Sequence, residues 1–322
     1  MRIGRPLLLL MMCLALAIAG CTGGEPQPTS SGRAVSHPCG KASDAPESYD
    51  HVLWIVFEDT SYDEIIGSDD APYMNTLARR CGLATNFRGE THPSLPNYIA
   101  AVSGTTHGLD TDCDASDCPQ SGGTLFAQVQ DADKQWRVYA ESMPDNCYKE
   151  NTDDYAARHT GAPYFQSIRE SCEHRQVPMG TPKSGTLHDA LHRDKLPDFA
   201  LLVPNLCNDM HDCSTSTGDD WLASWMPEIL ASPAYRDGRT AVFVTWDEGN
   251  GGEDGQDCLG PDYDDSCHIA TIVVSPSVKP GTRVDKRLDH YALLRTTEEM
   301  LGIDQYLGHA EDAPSMRGPF GL

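Results

Sequence analysis

Basic residues are scarce in this 322-residue chain, which has 24 Lys and Arg against 48 Asp and Glu and a formal net charge of −24 at pH 7. A surface of that sign repels nucleic acid and anionic membranes, both of which attract clustered Lys and Arg. We therefore expect no nucleic-acid partner. An anionic substrate is expected only where a cation or a local positive site overrides the general field.

Two metal-binding patterns are also missing. The sequence has no Cys-x-x-Cys pair, which favours disulfides in a secreted protein over a zinc site. The acidic segment Glu253–Asp265 has irregular spacing that matches no EF-hand. A solvated loop closed by Cys258 and Cys267 is therefore favoured there over a calcium site.

The amino-terminal segment predicts export. Residues 1–20 combine a basic start, an apolar run from Leu7 to Ile18 and small residues before Cys21, which indicates a signal peptide too short to span a membrane as a helix. Small residues before a cysteine resemble a lipobox, in which Cys21 would carry lipid; plain secretion is the alternative. We expect a cell-surface lipoprotein or a secreted protein whose membrane contact is limited to that lipid.

The rest of the chain predicts a tether followed by one domain. Residues 21–46 are rich in Gly, Pro, Ser and Thr, as in flexible linkers. Residues 47–322 have a length that suits one large α/β domain.

Ten cysteines follow Cys21, an even number that suits complete pairing. Sequence alone does not determine connectivity. Pairing between neighbours is the simplest arrangement, and it joins Cys39 with Cys81, Cys113 with Cys118, Cys147 with Cys172, Cys207 with Cys213 and Cys258 with Cys267.

Three apolar runs predict buried strands that end in polar turns. His51–Phe57 is followed by Glu58 and Asp59, and Phe199–Val203 leads into the turn that contains His211. The third run, Ala241–Trp246, is followed by Asp247 and Glu248. In a parallel sheet all three ends can lie at one edge, where open α/β sheets place ligands.

Carboxylates gathered at such an edge predict a metal ion. A pair of like charges about 4 Å apart costs about 1 kcal/mol in water and about 4 kcal/mol at an effective dielectric of 20. Several ionised pairs therefore need a cation. Oxygen ligands alone indicate one hard divalent ion such as Mg, Ca or Mn, or else Fe.

The stretch Gly89–Tyr98 carries the candidate nucleophile, Ser94. An apolar run at Leu83–Phe87 precedes it, and the segment Tyr98–Val102 predicts a helix that ends near Gly104, with Pro96 suited to its first turn. A serine at such a junction faces the free N–H groups of a helix, which favour a phosphate or a developing oxyanion. An ordinary helix N-cap is the alternative for this serine.

Five motifs in chain order resemble the bacterial phosphoesterase family. They are Glu58-Asp59-Thr60-Ser61, Thr91-His92-Pro93-Ser94-Leu95-Pro96-Asn97-Tyr98, Asn208-Asp209-Met210-His211-Asp212, Thr245-Trp246-Asp247-Glu248 and His290-Tyr291. The resemblance runs from about His51 to about Gly302. That family unites secreted acid phosphatases and phospholipases C and belongs to the alkaline phosphatase superfamily.

The resemblance implies a three-layer α/β/α sandwich around a mostly parallel sheet, with one catalytic metal ion. It makes Glu58, Asp59, Asp247 and Glu248 metal ligands and Ser94 both ligand and nucleophile. His211 would contact the phosphoryl group or protonate the leaving oxygen, and Asn97 would join the catalytic residues. Asp59, His92 and His290 would bind substrate. Asp59 is a departure, since the family usually has Asn there.

The expected function is an exported, metal-dependent acid phosphatase that hydrolyses phosphomonoesters through a phosphoserine, with phosphoinositide 3-phosphates among the possible substrates. A phospholipase C or another phosphodiesterase is the nearest alternative, because the chemistry is shared. A sulfatase is disfavoured by the absence of a Cys-x-Pro-x-Arg or Ser-x-Pro-x-Arg segment. A non-catalytic calcium-binding surface protein is the alternative from another class.

Overall fold

The computed structural model of the protein describes Met1, Gly4 and residues 37–261 and 263–322. The predicted signal peptide, apart from those two residues, and most of the predicted tether lie outside the described residues. The last part of the tether, residues 37–46, is attached to the domain. Cys39 is disulfide-bonded to Cys81, and the carbonyl oxygen of Pro38 accepts a hydrogen bond of 2.7 Å from the Tyr235 hydroxyl.

One mixed β-sheet contains the strands of the described part of the chain, in the order β4-β3-β5-β1-β6-β7-β2-β8, with β9 paired to β2. The strands are β1 (His51–Phe57), β2 (Gly82–Arg88), β3 (Trp136–Ala140), β4 (Gln176–Pro178), β5 (Phe199–Val203), β6 (Thr240–Trp246), β7 (His268–Val274), β8 (Thr282–Val284) and β9 (Leu288–Asp289). Every residue of β5 and β6 is buried, so both faces of the sheet centre are covered.

Helices cover the sheet in two groups. The helices are α1 (Tyr62–Ile65), α2 (Pro72–Arg80), α3 (Ser94–Ser103), α4 (Leu125–Asp131), α5 (Arg169–Arg175), α6 (Thr186–His192), α7 (Thr215–Ala231), α8 (Pro233–Arg236), α9 (His290–Met300) and α10 (Arg317–Phe320). Helix α7 contacts α2, α6 and α8, and α3 contacts α4 and α9. The predicted α/β fold is confirmed. The helices in the described part of the chain include none with an apolar stretch of membrane-spanning length.

The strand directions bring several strand ends to one edge. Strand β1 runs parallel to β5 and β6, its two neighbours. Strand β7 is antiparallel to both β6 and β2, so β2 points the same way as β6. The carboxyl ends of β1, β2, β5 and β6 therefore lie at the same edge, as the three apolar runs predict for their own strands.

The predicted disulfide pairing is confirmed for all ten cysteines. The bonds are Cys39–Cys81, Cys113–Cys118, Cys147–Cys172, Cys207–Cys213 and Cys258–Cys267. Each bond closes a loop between neighbouring cysteines in the sequence.

Asp219 connects two of the helices. The helix α7 begins at Thr215, so Asp219 lies inside it and not at its start. Its two carboxylate oxygens accept hydrogen bonds from the backbone N–H groups of Tyr73 and Met74 at 2.9 and 2.7 Å. Asp219 thus caps the first turn of α2, where free N–H groups need partners.

Candidate active site

A turn organised by Asn97 places Ser94 at the first residue of α3. The Asn97 side-chain oxygen accepts hydrogen bonds from the N–H groups of Glu90 and Thr91, at 2.9 and 3.2 Å. Its amide nitrogen donates to the Thr91 carbonyl at 2.8 Å. The first turn of the helix therefore contains Pro96, as predicted, and Asn97 ties that turn to the residues that follow β2.

Glycine permits a close approach between this turn and β6. A Cβ atom on Gly89 would lie 2.8 Å from the backbone oxygen of Asp247, closer than side-chain carbons come to such atoms. The absence of a side chain at residue 89 therefore lets the segment carrying Ser94 pass beside the carboxylates that follow β6.

The structure brings Ser94 into contact with Glu58 and places Asp247 beside them. Phe57 and Trp246 are paired across β1 and β6, so Glu58 and Asp247 follow adjacent strand ends. The Asp247 N–H donates to the Phe57 carbonyl at 3.1 Å. The Ser94 hydroxyl donates to Glu58 Oε2 at 2.8 Å.

The carboxylates are buried, and burial is the main reason that each pKa is raised. Burial raises the pKa of Glu58 to about 7, with Asp209 and Asp59 adding to the rise and His159 opposing it. The pKa of Glu248 is raised to about 10 by burial and by the charges of Glu58 and Asp59. The pKa of Asp247 is also raised well above its usual value. Bound protons or a metal ion must therefore neutralise the negative charge of these buried carboxylates.

The unpartnered oxygens of this cluster fit a hard metal ion. Both carboxylate oxygens of Asp247 are buried without a hydrogen-bond partner among the described residues, and Oε1 of Glu58 makes no hydrogen bond there although the His159 ring nitrogen lies 3.3 Å away. Buried polar atoms are otherwise nearly always paired. Glu58, Asp59 and His211 also each offer one ligand atom within 4.8 Å of the others. Oxygen donors from carboxylates, with one imidazole nitrogen, suit Mg, Ca, Mn or Fe.

Glu248 is held by two of the predicted site residues, His92 and Asn97. His92 Nδ1 lies 3.0 Å from Glu248 Oε1, and Asn97 Nδ2 donates to Oε2 at 2.8 Å. The second ring nitrogen of His92 is 3.1 Å from the Ser266 hydroxyl. Both nitrogens of His92 are therefore engaged by protein groups, and His92 and Asn97 position Glu248 in this structure.

His290 lies behind the end of β6, and both of its ring nitrogens are engaged. Nδ1 contacts the Glu90 carboxylate and Nε2 contacts the Trp246 carbonyl at 2.8 Å. Burial lowers the pKa of His290, but the charge and hydrogen bond of Glu90 outweigh it and the pKa is raised. A charged His290 thus ties α9 to the residue before Asp247, and the structure does not bring its ring nitrogens to the carboxylate cluster.

His211 and Asp59 lie at the opening of the site. The carbonyl of Asp209 accepts a hydrogen bond from the Glu58 N–H at 2.9 Å, which brings the turn after β5 against the end of β1. His211 Nε2 is 3.9 Å from Asp59 Oδ2, and their side chains are 29% and 38% exposed. These two residues are therefore within reach of a substrate from solvent.

His159 is a site residue that sequence reasoning missed. Its buried ring lies between two carboxylates, with Nδ1 3.1 Å from Asp209 Oδ2 and Nε2 3.3 Å from Glu58 Oε1. The ring also stacks on Tyr98 at 5.4 Å. Burial lowers the pKa of His159 to about 4. It follows no strand and lies in a short 3-10 helix, Ala157–Thr160, so no periodic pattern marks it.

The acidic loop after Glu248 lies against the nucleophile turn. The Gly255 N–H donates to the His92 carbonyl at 2.7 Å, and the Cys258 N–H donates to the Glu90 carbonyl at 3.1 Å. Gly252 sits directly against the His92 ring, where a Cβ atom would overlap it. The loop thus forms one wall beside Ser94.

The sequence model of the phosphoesterase family matches residues 65–304, more than half of the chain. The chain belongs to the phosphoesterase family. It is therefore a phosphoric ester hydrolase. The matched residues include Ser94, His211, Asp247 and Glu248.

Relatives of this phosphoesterase include named phosphatases. A phosphatidylinositol-3-phosphatase of Mycobacterium tuberculosis is 29% identical over 328 residues, which cover 99% of this chain and 95% of that protein. An acid phosphatase of Aspergillus fumigatus is 28% identical over 78% of this chain and 54% of its own length. A phosphate-repressible acid phosphatase of Penicillium chrysogenum is 28% identical over 90% of this chain and 69% of its own length.

Solved structures share the fold of this phosphoesterase at low sequence identity. A protein of the alkaline phosphatase superfamily from Vibrio parahaemolyticus superposes with a TM-score of 0.60 at 12% identity, covering 87% of this chain and 74% of that one. The lipoteichoic acid synthase LtaP from Listeria monocytogenes gives 0.57 at 9% identity, covering 82% and 74%. The fold is therefore that of the alkaline phosphatase superfamily.

Proposed function

We propose that this phosphoesterase is a metal-dependent phosphomonoesterase that uses Ser94 as its nucleophile. One observation carries the proposal. Ser94 is buried at the first residue of α3, and its hydroxyl donates a hydrogen bond to Glu58 Oε2 at 2.8 Å inside a group of carboxylates. A nucleophile, an acceptor for its proton and ligands for a cation are thus gathered at one point.

The chain's own residues account for the bond changes. The contact with Glu58 orients the Ser94 hydroxyl and offers its proton an acceptor as Oγ attacks phosphorus. The bond from phosphorus to Oγ forms and the bond to the leaving oxygen breaks, with a proton from His211 at the opening completing the alcohol. Water then attacks the phosphoserine, which releases phosphate and restores the hydroxyl.

Glu58, Asp59, Asp247 and Glu248, together with Ser94, are the residues that would hold the metal ion. A divalent cation there would neutralise the carboxylates and withdraw charge from the phosphoryl oxygens. His159 would position Glu58, since it contacts Oε1 at 3.3 Å and is itself fixed by Asp209. Such outer contacts orient ligands and raise metal affinity.

Two further parts of the proposal rest on the relatives and on the amino-terminal sequence. The similarity to a phosphatidylinositol-3-phosphatase over nearly the whole chain makes phosphoinositide 3-phosphates the lipid monoesters to test first. The apolar segment before Cys21 and the five disulfides support export, with or without a lipid on Cys21.

A substrate panel tests the proposed function. Phosphate release from p-nitrophenyl phosphate and from phosphatidylinositol 3-phosphate is compared with phosphocholine release from phosphatidylcholine, each with divalent metal and with EDTA. We expect kcat/KM for the monoesters to exceed that for phosphatidylcholine by about 100-fold or more, and EDTA to abolish both. Faster phosphocholine release would identify a phospholipase C. No release from any substrate would favour the calcium-binding alternative.

Asp59 leads to a prediction, because it places a carboxylate at the site opening where the family usually has the side-chain amide of Asn. An Asn side chain can donate a hydrogen bond to phosphate, whereas a carboxylate donates only when protonated and repels an anion. Asp59→Asn is therefore expected to lower the inhibition constant of inorganic phosphate at pH 7 by about tenfold. Asp63→Asn, the same change at an exposed residue of α1, is the control. An equal or weaker inhibition by phosphate in Asp59→Asn would count against the prediction.

A further inference from the structure

Arg158 joins the two sides of the site opening. It precedes His159 in the Ala157–Thr160 turn, and 18% of its side chain is exposed. Its Nη2 lies 3.3 Å from His211 Nε2, and its Nε lies 3.0 Å from Asp112 Oδ2. The other oxygen of Asp112 accepts a hydrogen bond of 3.0 Å from the N–H of Leu95, the residue after Ser94.

These contacts fix the guanidinium between the nucleophile helix and the opening. Asp112 links Arg158 to the first turn of α3, and His211 links it to Asp59 at 3.9 Å. A guanidinium carries five N–H donors, and its contacts with Asp112 and His211 engage two of its three nitrogens. The remaining N–H groups can pair with two oxygens of one phosphoryl group, the geometry in which arginine binds phosphate.

Arg158 brings a fixed positive charge to the site opening. A guanidinium carries only hydrogen-bond donors, and it stands beside His211, whose other ring nitrogen, Nδ1, lies 2.7 Å from Asp212 Oδ1. This positive charge lies in a chain with twice as many acidic as basic residues.

We propose that Arg158 binds the non-bridging oxygens of the substrate's phosphoryl group and favours dianionic phosphate monoesters over monoanionic diesters. This inference rests on the proposed phosphomonoesterase function. Arg158 supplies the local positive site that an anionic substrate needs beside the carboxylates. A fixed cation attracts a dianion more strongly than a monoanion, so its loss affects monoesters more.

Charge removal at Arg158 tests the inference. Arg158→Gln is expected to lower kcat/KM for p-nitrophenyl phosphate about 10²- to 10³-fold, and kcat/KM for bis(p-nitrophenyl) phosphate by less than about tenfold. Arg158→Lys keeps the charge without the paired donors, so it is expected to restore most of the preference for the monoester. Arg193→Gln, which removes an exposed arginine paired with Asp189 at 3.4 Å, is the matched control and leaves both rates unchanged.

Two further measurements separate the possible outcomes. Calorimetric titration with inorganic phosphate is expected to show weaker binding to Arg158→Gln than to the wild type, with equal melting temperatures. An equal loss for both esters, together with a lower melting temperature, would assign Arg158 a structural role and overturn the inference. If the wild type releases no phosphate from any ester, the proposed function fails; phosphate binding that still depends on Arg158 would then support the anion site alone.

Discussion

Replacing Ser94 with alanine is expected to lower kcat for phosphate monoesters by about 10⁴-fold or more, because the variant has no oxygen to attack phosphorus. The fold should survive, since the side chain makes one hydrogen bond, to Glu58, and loses little volume. Loss of that bond costs about 1–3 kcal/mol of unfolding free energy. Steady-state phosphate release and thermal unfolding measure both effects.

A second serine in the same helix supplies the control for Ser94→Ala. Ser103 is also buried, and its hydroxyl donates to the Ile99 carbonyl at 2.7 Å. Ser103→Ala is expected to lose at least as much stability, because the Ser103 hydroxyl also contacts the Thr105 carbonyl at 3.0 Å and His107 Nε2 at 3.2 Å, and to keep its turnover. Acid quenching of the wild type during turnover should trap a phosphoryl group on Ser94, which mass spectrometry of the peptide can locate. Substantial turnover by Ser94→Ala, or a phosphoryl group trapped elsewhere, would exclude Ser94 as the nucleophile.

EDTA-treated protein is expected to become less stable as pH rises from 5 to 8. Burial raises the pKa of Glu58 to about 7 and that of Glu248 to about 10. A carboxyl group whose pKa is raised on folding stabilises the protein fully below its unfolded pKa, and this contribution is lost as pH rises through the folded value. For Glu58 alone the loss is about 3 kcal/mol between pH 4.5 and a pH above 7.

A divalent metal ion should reverse this trend, since it binds the ionised carboxylates and stabilises the native state by mass action. We expect the increase in melting temperature on adding metal to be larger at pH 8 than at pH 5. Glu248→Gln should flatten the pH dependence of the EDTA-treated protein, whereas Glu253→Gln, at an exposed residue of the acidic loop, should not. A melting temperature that rises with pH in EDTA would contradict the expected role of the buried carboxylates.

Much of the fold follows from short-range patterns. The run from His51 to Phe57 is apolar and fully buried after its first residue, and it coincides with β1 because a central strand is buried on both faces. The acidic residues after β1 and β6 can be placed at one edge because parallel neighbours end together. No sequence pattern predicts that β7 is antiparallel to its neighbours, since its apolar residues suit a parallel or an antiparallel strand equally well.

Other parts of the site depend on contacts between residues far apart in the sequence. His159 meets Glu58 across 101 positions of chain, through a segment with no periodic pattern. His290 and Glu90 are 200 residues apart, and only their pairing shows that both nitrogens of His290 are engaged. Residue type indicates which chemistry a histidine can perform, whereas its neighbours in space decide which ring nitrogen is available.

The order of the disulfides has a consequence for biogenesis. Each of the ten cysteines from Cys39 to Cys267 is bonded to the adjacent one in the sequence, with separations of 42, 5, 25, 6 and 9 residues. If the polypeptide enters an oxidising compartment with its amino end first, both cysteines of each pair therefore emerge before the first cysteine of the next pair. Stepwise oxidation during translocation then yields the native pattern without reshuffling by an isomerase.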